Sequence, residues 1–171
     1  VQEVISTIML NYVAIHLVSY MVDGGPLQEV AKRGPQSDMI AAAAYLPRLI
    51  PQTRLHLGLP IALALAVSLA IILFRTVLGY QIRAVGANPK AAEAAGISIS
   101  RNVLLALFIS GALAGLGGAI ELTALTRRLF QNFSPGYGYT AIAVALLAKL
   151  HPLWVILSSL LFGALKTGSD A

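Results

Sequence analysis

Residues Arg83–Ile97 read R-A-V-G-A-N-P-K-A-A-E-A-A-G-I, a polar island between two apolar walls. One wall ends near Leu78 and the other begins at Val103. The island predicts a short helix with its own start and stop. Asn88 suits the N-cap, where its side-chain oxygen accepts from a free backbone N–H of the first turn. Pro89 suits the first helical position, where its missing donor costs nothing. Gly96 suits the C′ position, which needs left-handed dihedrals. About two turns fit between these signals, too few to be stable alone in water. The helix needs a surface to hold it, which periodicity alone does not name: a capped surface loop remains open.

Outward from the island, the walls predict an all-α, polytopic membrane protein. Expected spans lie near 4–22, 57–79 and 103–122, with the polar loop at 80–101. Each span has the roughly 20 apolar residues that cross a hydrocarbon core of about 30 Å. The next stretch, 139–148, is short for a crossing and reads as a half-helix or re-entrant segment buried against protein. Lys149-Leu-His-Pro152 interrupts, and a further span runs over 152–167. The expectation is a partial bundle of four to five spans with one short segment. The long 23–56 connection carries Gly24-Gly25-Pro26 and Gly34-Pro35 turn signals. Its Ala-rich stretch Ile40–Leu49 suggests a short surface helix. Phe130, Phe133 and Tyr137 in the later connection fit an interfacial aromatic belt.

Composition supports this class. Of 171 residues, 57% are hydrophobic and only 11% charged, against about a quarter charged in soluble domains. Mean hydropathy is +0.79. The net charge of +5 is read as lipid contact and topology signal, not as a nucleic-acid surface. The chain has no cysteine, so no disulfide or thiolate chemistry is expected. It opens on Val1 and closes on Ala171 without clear terminal signals, and reads as a piece of a longer chain.

No P-loop, H-E-x-x-H or G-x-S-x-G pattern is present, and neither a metal, a cofactor nor catalysis is expected. Gly111 and Gly115 form a G-x-x-x-G pair that Ser110, Ala114 and Gly118 extend into a small-residue ridge. Such ridges let helices approach closely in lipid; the readings are packing within the bundle or lining of a solute path. Glu121 sits at the end of its span, either at the interface or facing a cavity. Asn11, one turn from Thr7, is either a hydrogen-bonding link between helices or a solute contact. His16 has no evident partner, and His151 reads as a turn residue at a helix break.

The island resembles a cytoplasmic signature of ABC-importer permeases for ribose, other simple sugars and nucleosides, approximately R-x-x-G-x-N-x-x-A-A-x-x-x-G-I. This chain matches it at Arg83, Gly86, Asn88, Ala91, Ala92, Gly96 and Ile97. S-T-I-M-L-N-Y-V-A at Ser6–Ala14 resembles a span of the nucleoside-type branch. G-Y-G-Y-T-A-I-A-V-A-L-L-A at Gly136–Ala148, followed by His151-Pro152, resembles a short segment near that family's solute path. Branched-chain amino-acid permeases carry a related loop, so that solute class stays open, as does a transporter that works without ATP.

The resemblance implies residues 1–171 as a fragment of one permease domain in a bacterial or archaeal cytoplasmic membrane. It implies as partners cytoplasmic ATPase subunits, a second permease subunit and an extracytoplasmic solute-binding protein. The island would be the element that docks on the ATPase. Asn88 and Pro89 would start it, Gly96 would stop it, and Ala91, Ala92 and Ala95 would form the docking face. Arg83 and Lys90 would be electrostatic contacts; Asn11, Glu121 and Thr140 would line the path. Sidedness rests on the resemblance alone. With the island facing the cytoplasm, that side holds five Lys/Arg and the other seven, opposite to the positive-inside preference.

Overall fold

A computed structural model describes residues 2–31, 34–49, 55–134 and 136–169. Lys32, Arg33, Arg54 and Pro135 lie outside the described residues, as do Val1 and Ala171. The fold is helical: α1 (Gln2–Val22), α2 (Gly58–Arg75), α3 (Val77–Ala87), α4 (Pro89–Ala94), α5 (Ile99–Glu121), α6 (Tyr137–Leu147) and α7 (Pro152–Ser169). Isolated β-bridges, but no strands, occur among the described residues. Among the described residues, four helical segments are long and apolar enough to cross a membrane: Ile5–Val22, Gly58–Arg75, Ile99–Thr126 and Pro152–Ser169. The 11-residue α6 spans only about 16 Å at 1.5 Å per residue, too little for a crossing.

The chain divides into two compact units, one of residues 1–56 and 119–136, the other of 57–118 and 137–171. In the first, α1 ends in a tight turn. Gly24 takes φ +77°, and a Cβ on Gly25 would collide with the Tyr20 carbonyl oxygen. The following connection docks on 123–131. The Ser37 N–H donates to Leu129 O at 2.8 Å and the Leu129 N–H to Ser37 Oγ at 2.9 Å. Ile40 and Leu46 donate backbone N–H to Arg127 O and Thr123 O. The Arg127 guanidinium stands 4.6 Å from the Tyr45 ring centre. These long-range bonds override the Ala-rich composition: instead of the helix expected over Ile40–Leu49, only a 3₁₀ turn forms at Ala42–Ala44.

In the second unit, the apolar run expected to continue to residue 79 is two helices. Thr76 takes extended dihedrals and serves both sides of the joint. Its hydroxyl donates to Ile72 O at 2.6 Å and accepts from the Gly79 N–H at 3.2 Å. A Cβ at Gly79 would strike Ile72 O and Leu73 Cα, so this elbow closes only on glycine. Helix α2 packs on α7, α7 on α6, and α3 on α4. The Ser158 hydroxyl on α7 donates to Val144 O on α6 at 2.9 Å.

Helix α5 starts at Ile99, before the expected 103, and passes at Glu121 into a π-helical turn, Leu122–Thr126. Arg127 closes it at φ +58°. Few apolar side chains are buried, among them Ala70, Val85, Ala92, Val144 and Ala148, whereas Leu104, Leu107, Phe108, Leu160 and Leu165 are exposed. That surface suits lipid or further helices; in lipid the helical backbone satisfies its own polar groups.

Candidate functional site

The island folds as two helical pieces joined at Asn88. Arg83 and Gly86 lie on α3, not in an open loop. Asn88 leaves the helical region at φ −156°, and its Oδ1 accepts from the Ala91 N–H at 3.2 Å. Pro89 occupies the first position of α4. At the other end the Ile97 N–H donates to Ala92 O and the Gly96 N–H to Glu93 O, both at 2.9 Å. This is the paired 6→1 and 5→2 pattern of a Schellman cap, with Gly96 supplying the left-handed residue at φ +78°. The six-residue α4 thus has its ends satisfied by its own sequence and its inner side held by α3.

The expected docking face is divided: Ala92 is 4% exposed. Lys90, Ala91, Glu93, Ala94 and Ala95 are exposed. Four Ala residues look alike in sequence; packing on α3 decides which one is buried. Behind the island, Asn102 is 3% exposed. Its Nδ2 donates to Ser98 O at 2.8 Å, while its Oδ1 has no hydrogen-bond partner. Sequence reading passed over Asn102; a lone amide in the first turn of an apolar span was the available signal.

Arg83, expected as an electrostatic contact, lies 4.9 Å from the centre of the Phe74 ring on α2. The His151 ring stacks on the same Phe74 at 4.9 Å, with 20° between planes. His151 also caps α7, its Nδ1 accepting from the Leu153 N–H at 3.3 Å. Neither partner of this pair was legible, because nothing in the spacing of Phe74 and His151 joins them.

The expected solute-path residues belong to different units. Asn11 lines a cavity of about 160 Å³ in the first unit, with Ala14, Ile15 and Val18 of α1 and with Asn132, Phe133 and Ser134. Glu121 ends α5, half-buried, and does not line it. Thr140 is exposed on α6, in the second unit. The ridge is uncovered: a Cβ added at Gly111, Gly115 or Gly117 would meet nothing within 4 Å. Gly118 is half-buried.

The family described as "Branched-chain amino acid transport system / permease component" matches residues 1–171. The chain belongs to this family. It is 36% identical over 171 residues to the guanosine ABC transporter permease protein NupP of Bacillus subtilis, covering 99% of this chain and 49% of that protein. It is 37% identical over 175 residues to the nucleoside ABC transporter permease protein NupB of Lactococcus lactis, covering 98% and 48%. It is 36% identical over 181 residues to the glucose ABC transporter permease protein TsgB13 of Haloferax volcanii, covering 100% and 47%. The chain thus spans about half the length of these curated relatives. No solved structure matches it. These relatives are permease components, in agreement with the apolar helices of this permease chain.

Proposed function

We propose that this chain is part of the permease of an ATP-binding cassette importer, moving nucleosides or simple sugars across the cytoplasmic membrane by alternating access. Residues 1–171 are part of one membrane-spanning permease domain. ATP hydrolysis belongs to separate cytoplasmic subunits. A second permease subunit and an extracytoplasmic solute-binding protein complete the assembly. The observation that carries this reading is α4, a preformed, doubly capped helix that exposes small and charged side chains between two apolar segments. Such a helix loses little conformational entropy when it enters a groove of a partner.

In this reading Asn88 and Pro89 start the coupling helix, and Gly96 and Ile97 close it. Ala91, Ala95 and Lys90 contact the ATPase, and Gly86 and Arg83 belong to the α3 strut behind it. Ala92 anchors α4 to the chain. Asn11 contacts solute through the cavity it lines; Glu121 and Thr140 are offered as polar contacts elsewhere along the path. The ridge of Gly111, Gly115 and Gly118 receives a helix from outside this chain. The family's description names branched-chain amino acids, whereas the relatives above are named for guanosine, nucleosides and glucose; the solute class follows the relatives.

The test is ATP-dependent uptake by the full-length permease reconstituted with its ATPase and binding protein. Guanosine and glucose are the probes. Gly96→Val should uncouple hydrolysis from uptake while membrane insertion is retained. Uptake insensitive to ATP depletion would sink the ATP-driven reading, and wild-type coupling in Gly96→Val would remove α4 from it.

A further inference from the structure

Phe74 is 43% exposed, so its ring is not core filling. Two groups lie against it, the Arg83 guanidinium and the His151 imidazole, each 4.9 Å from its centre. Arg83 belongs to α3, which carries α4 directly through Asn88. Phe74 belongs to the last turn of α2, just before the Thr76 elbow. His151 belongs to the break between α6 and α7. All three lie in one compact unit.

The break is a strained place. Lys149 and Leu150 are consecutive non-glycine residues in the left-handed region, at φ +51° and +57°. Left-handed dihedrals disfavour L-residues because Cβ crowds the following carbonyl, and strain of this kind persists only where surroundings enforce it. Here the enforcing contacts are visible. The Leu150 N–H donates to Ala145 O, and the His151 N–H donates to Ala148 O. His151 then caps α7 and stacks on Phe74. Strain of this kind clusters at switch regions.

We propose that Phe74 is a positioning residue for transport, carrying displacement of the coupling helix from Arg83 to the strained α6–α7 break through His151. This rests on the importer reading above. The elbow makes the route stiff: Gly79 admits no Cβ and the Thr76 hydroxyl bonds both helices. A push on α4 therefore reaches the Phe74 ring through α3 and the exposed Arg83 that lies against it. Residues along such a chain of contacts modulate coupling by about 2- to 30-fold.

The experiment measures solute accumulated per ATP hydrolysed, in proteoliposomes of the full-length permease with its ATPase and binding protein. Whichever of guanosine and glucose the wild type accumulates is the probe. Phe74→Leu should lower the ratio by about 5-fold, and Phe74→Tyr should restore it. His151 separates stacking from capping. His151→Phe keeps a ring and loses the cap acceptor, whereas His151→Asn keeps an acceptor and loses the ring. The ratio should stay near wild type in His151→Phe and fall in His151→Asn. The opposite order would reduce His151 to a cap and overturn the proposal. So would a wild-type ratio in Phe74→Leu, or equal damage from Phe74→Tyr. If Phe74→Leu fails to insert, the two His151 variants decide the matter. A wild type without ATP-dependent uptake overturns the importer reading itself. A coupled wild type with unchanged ratios in all variants overturns only the role of Phe74.

Discussion

Helices α4 and α6 are both too short to cross a membrane, and they close on the same hydrogen-bond pattern with different residues. Helix α4 closes on Gly96, where left-handed dihedrals are cheap, and both ends are capped by its own residues. Helix α6 closes on Lys149 and Leu150, where the same dihedrals are costly. The first end is dictated locally and would form in any context that shields it. The second carries the same local bonds, from the Leu150 N–H to Ala145 O and from the Lys149 N–H to Leu146 O, but without a glycine, and more distant contacts add to them: Ser158 bonds Val144 O, and His151 is held on Phe74 and in the α7 cap. A cap closed on glycine suits a rigid docking element, and a cap closed on strained residues suits a joint that moves.

Four substitutions probe this contrast. The largest effect is expected from Gly96→Val, which places a β-branched residue at φ +78° and should cost about 2 kcal/mol locally. Hydrogen exchange should speed up at the Ile97 and Gly96 amides, which lose their cap bonds; unchanged protection would mean that α4 does not depend on its cap. Asn88→Ala removes the acceptor for the Ala91 N–H and should destabilise α4 by about 1 kcal/mol, read as faster exchange at Ala91 than in wild type. At the other helix the sign reverses. Leu150→Gly relieves a left-handed residue and should raise the thermal stability of the full-length protein by up to about 1 kcal/mol. A drop would show that Leu150 is not strained there. Ser158→Ala should cost only about 0.5 kcal/mol, because Val144 O keeps its bond from the Ala148 N–H. A much larger loss of melting temperature would make that hydroxyl the main tie between α6 and α7.

The same contrast explains what the sequence disclosed. Asn88, Pro89 and Gly96 act within a few residues of themselves, so their roles as caps are written in their identities and spacing. The apolar runs likewise announce helices through composition. The elbow at Thr76 was hidden, because one hydroxyl and one glycine interrupt an otherwise continuous apolar run. The burial of Ala92 was hidden, because four similar alanines give α4 no apolar stripe to orient it. The Ala-rich 40–49 stretch misled for the converse reason: bonds to Arg127 and Thr123, far along the chain, outweigh local propensity. The left-handed Lys149 and Leu150 were hidden because no glycine marks the end of α6, and the stack of Arg83 and His151 on Phe74 exists only after distant segments meet.

Residues 1–171 contain no cysteine, so with any cysteine elsewhere in the full-length permease replaced, α4 can be tested directly as the docking element. Single cysteines at Ala91, Ala92 and Ala95 in the full-length permease, each carrying a maleimide photo-crosslinker, would be illuminated in the complex with the ATPase. Ala91→Cys and Ala95→Cys should cross-link to the ATPase subunit in a nucleotide-dependent manner, and the buried Ala92→Cys should not. Equal capture from all three positions, or none from Ala91 and Ala95 in a complex that still couples ATP to uptake, would contradict α4 as the coupling helix.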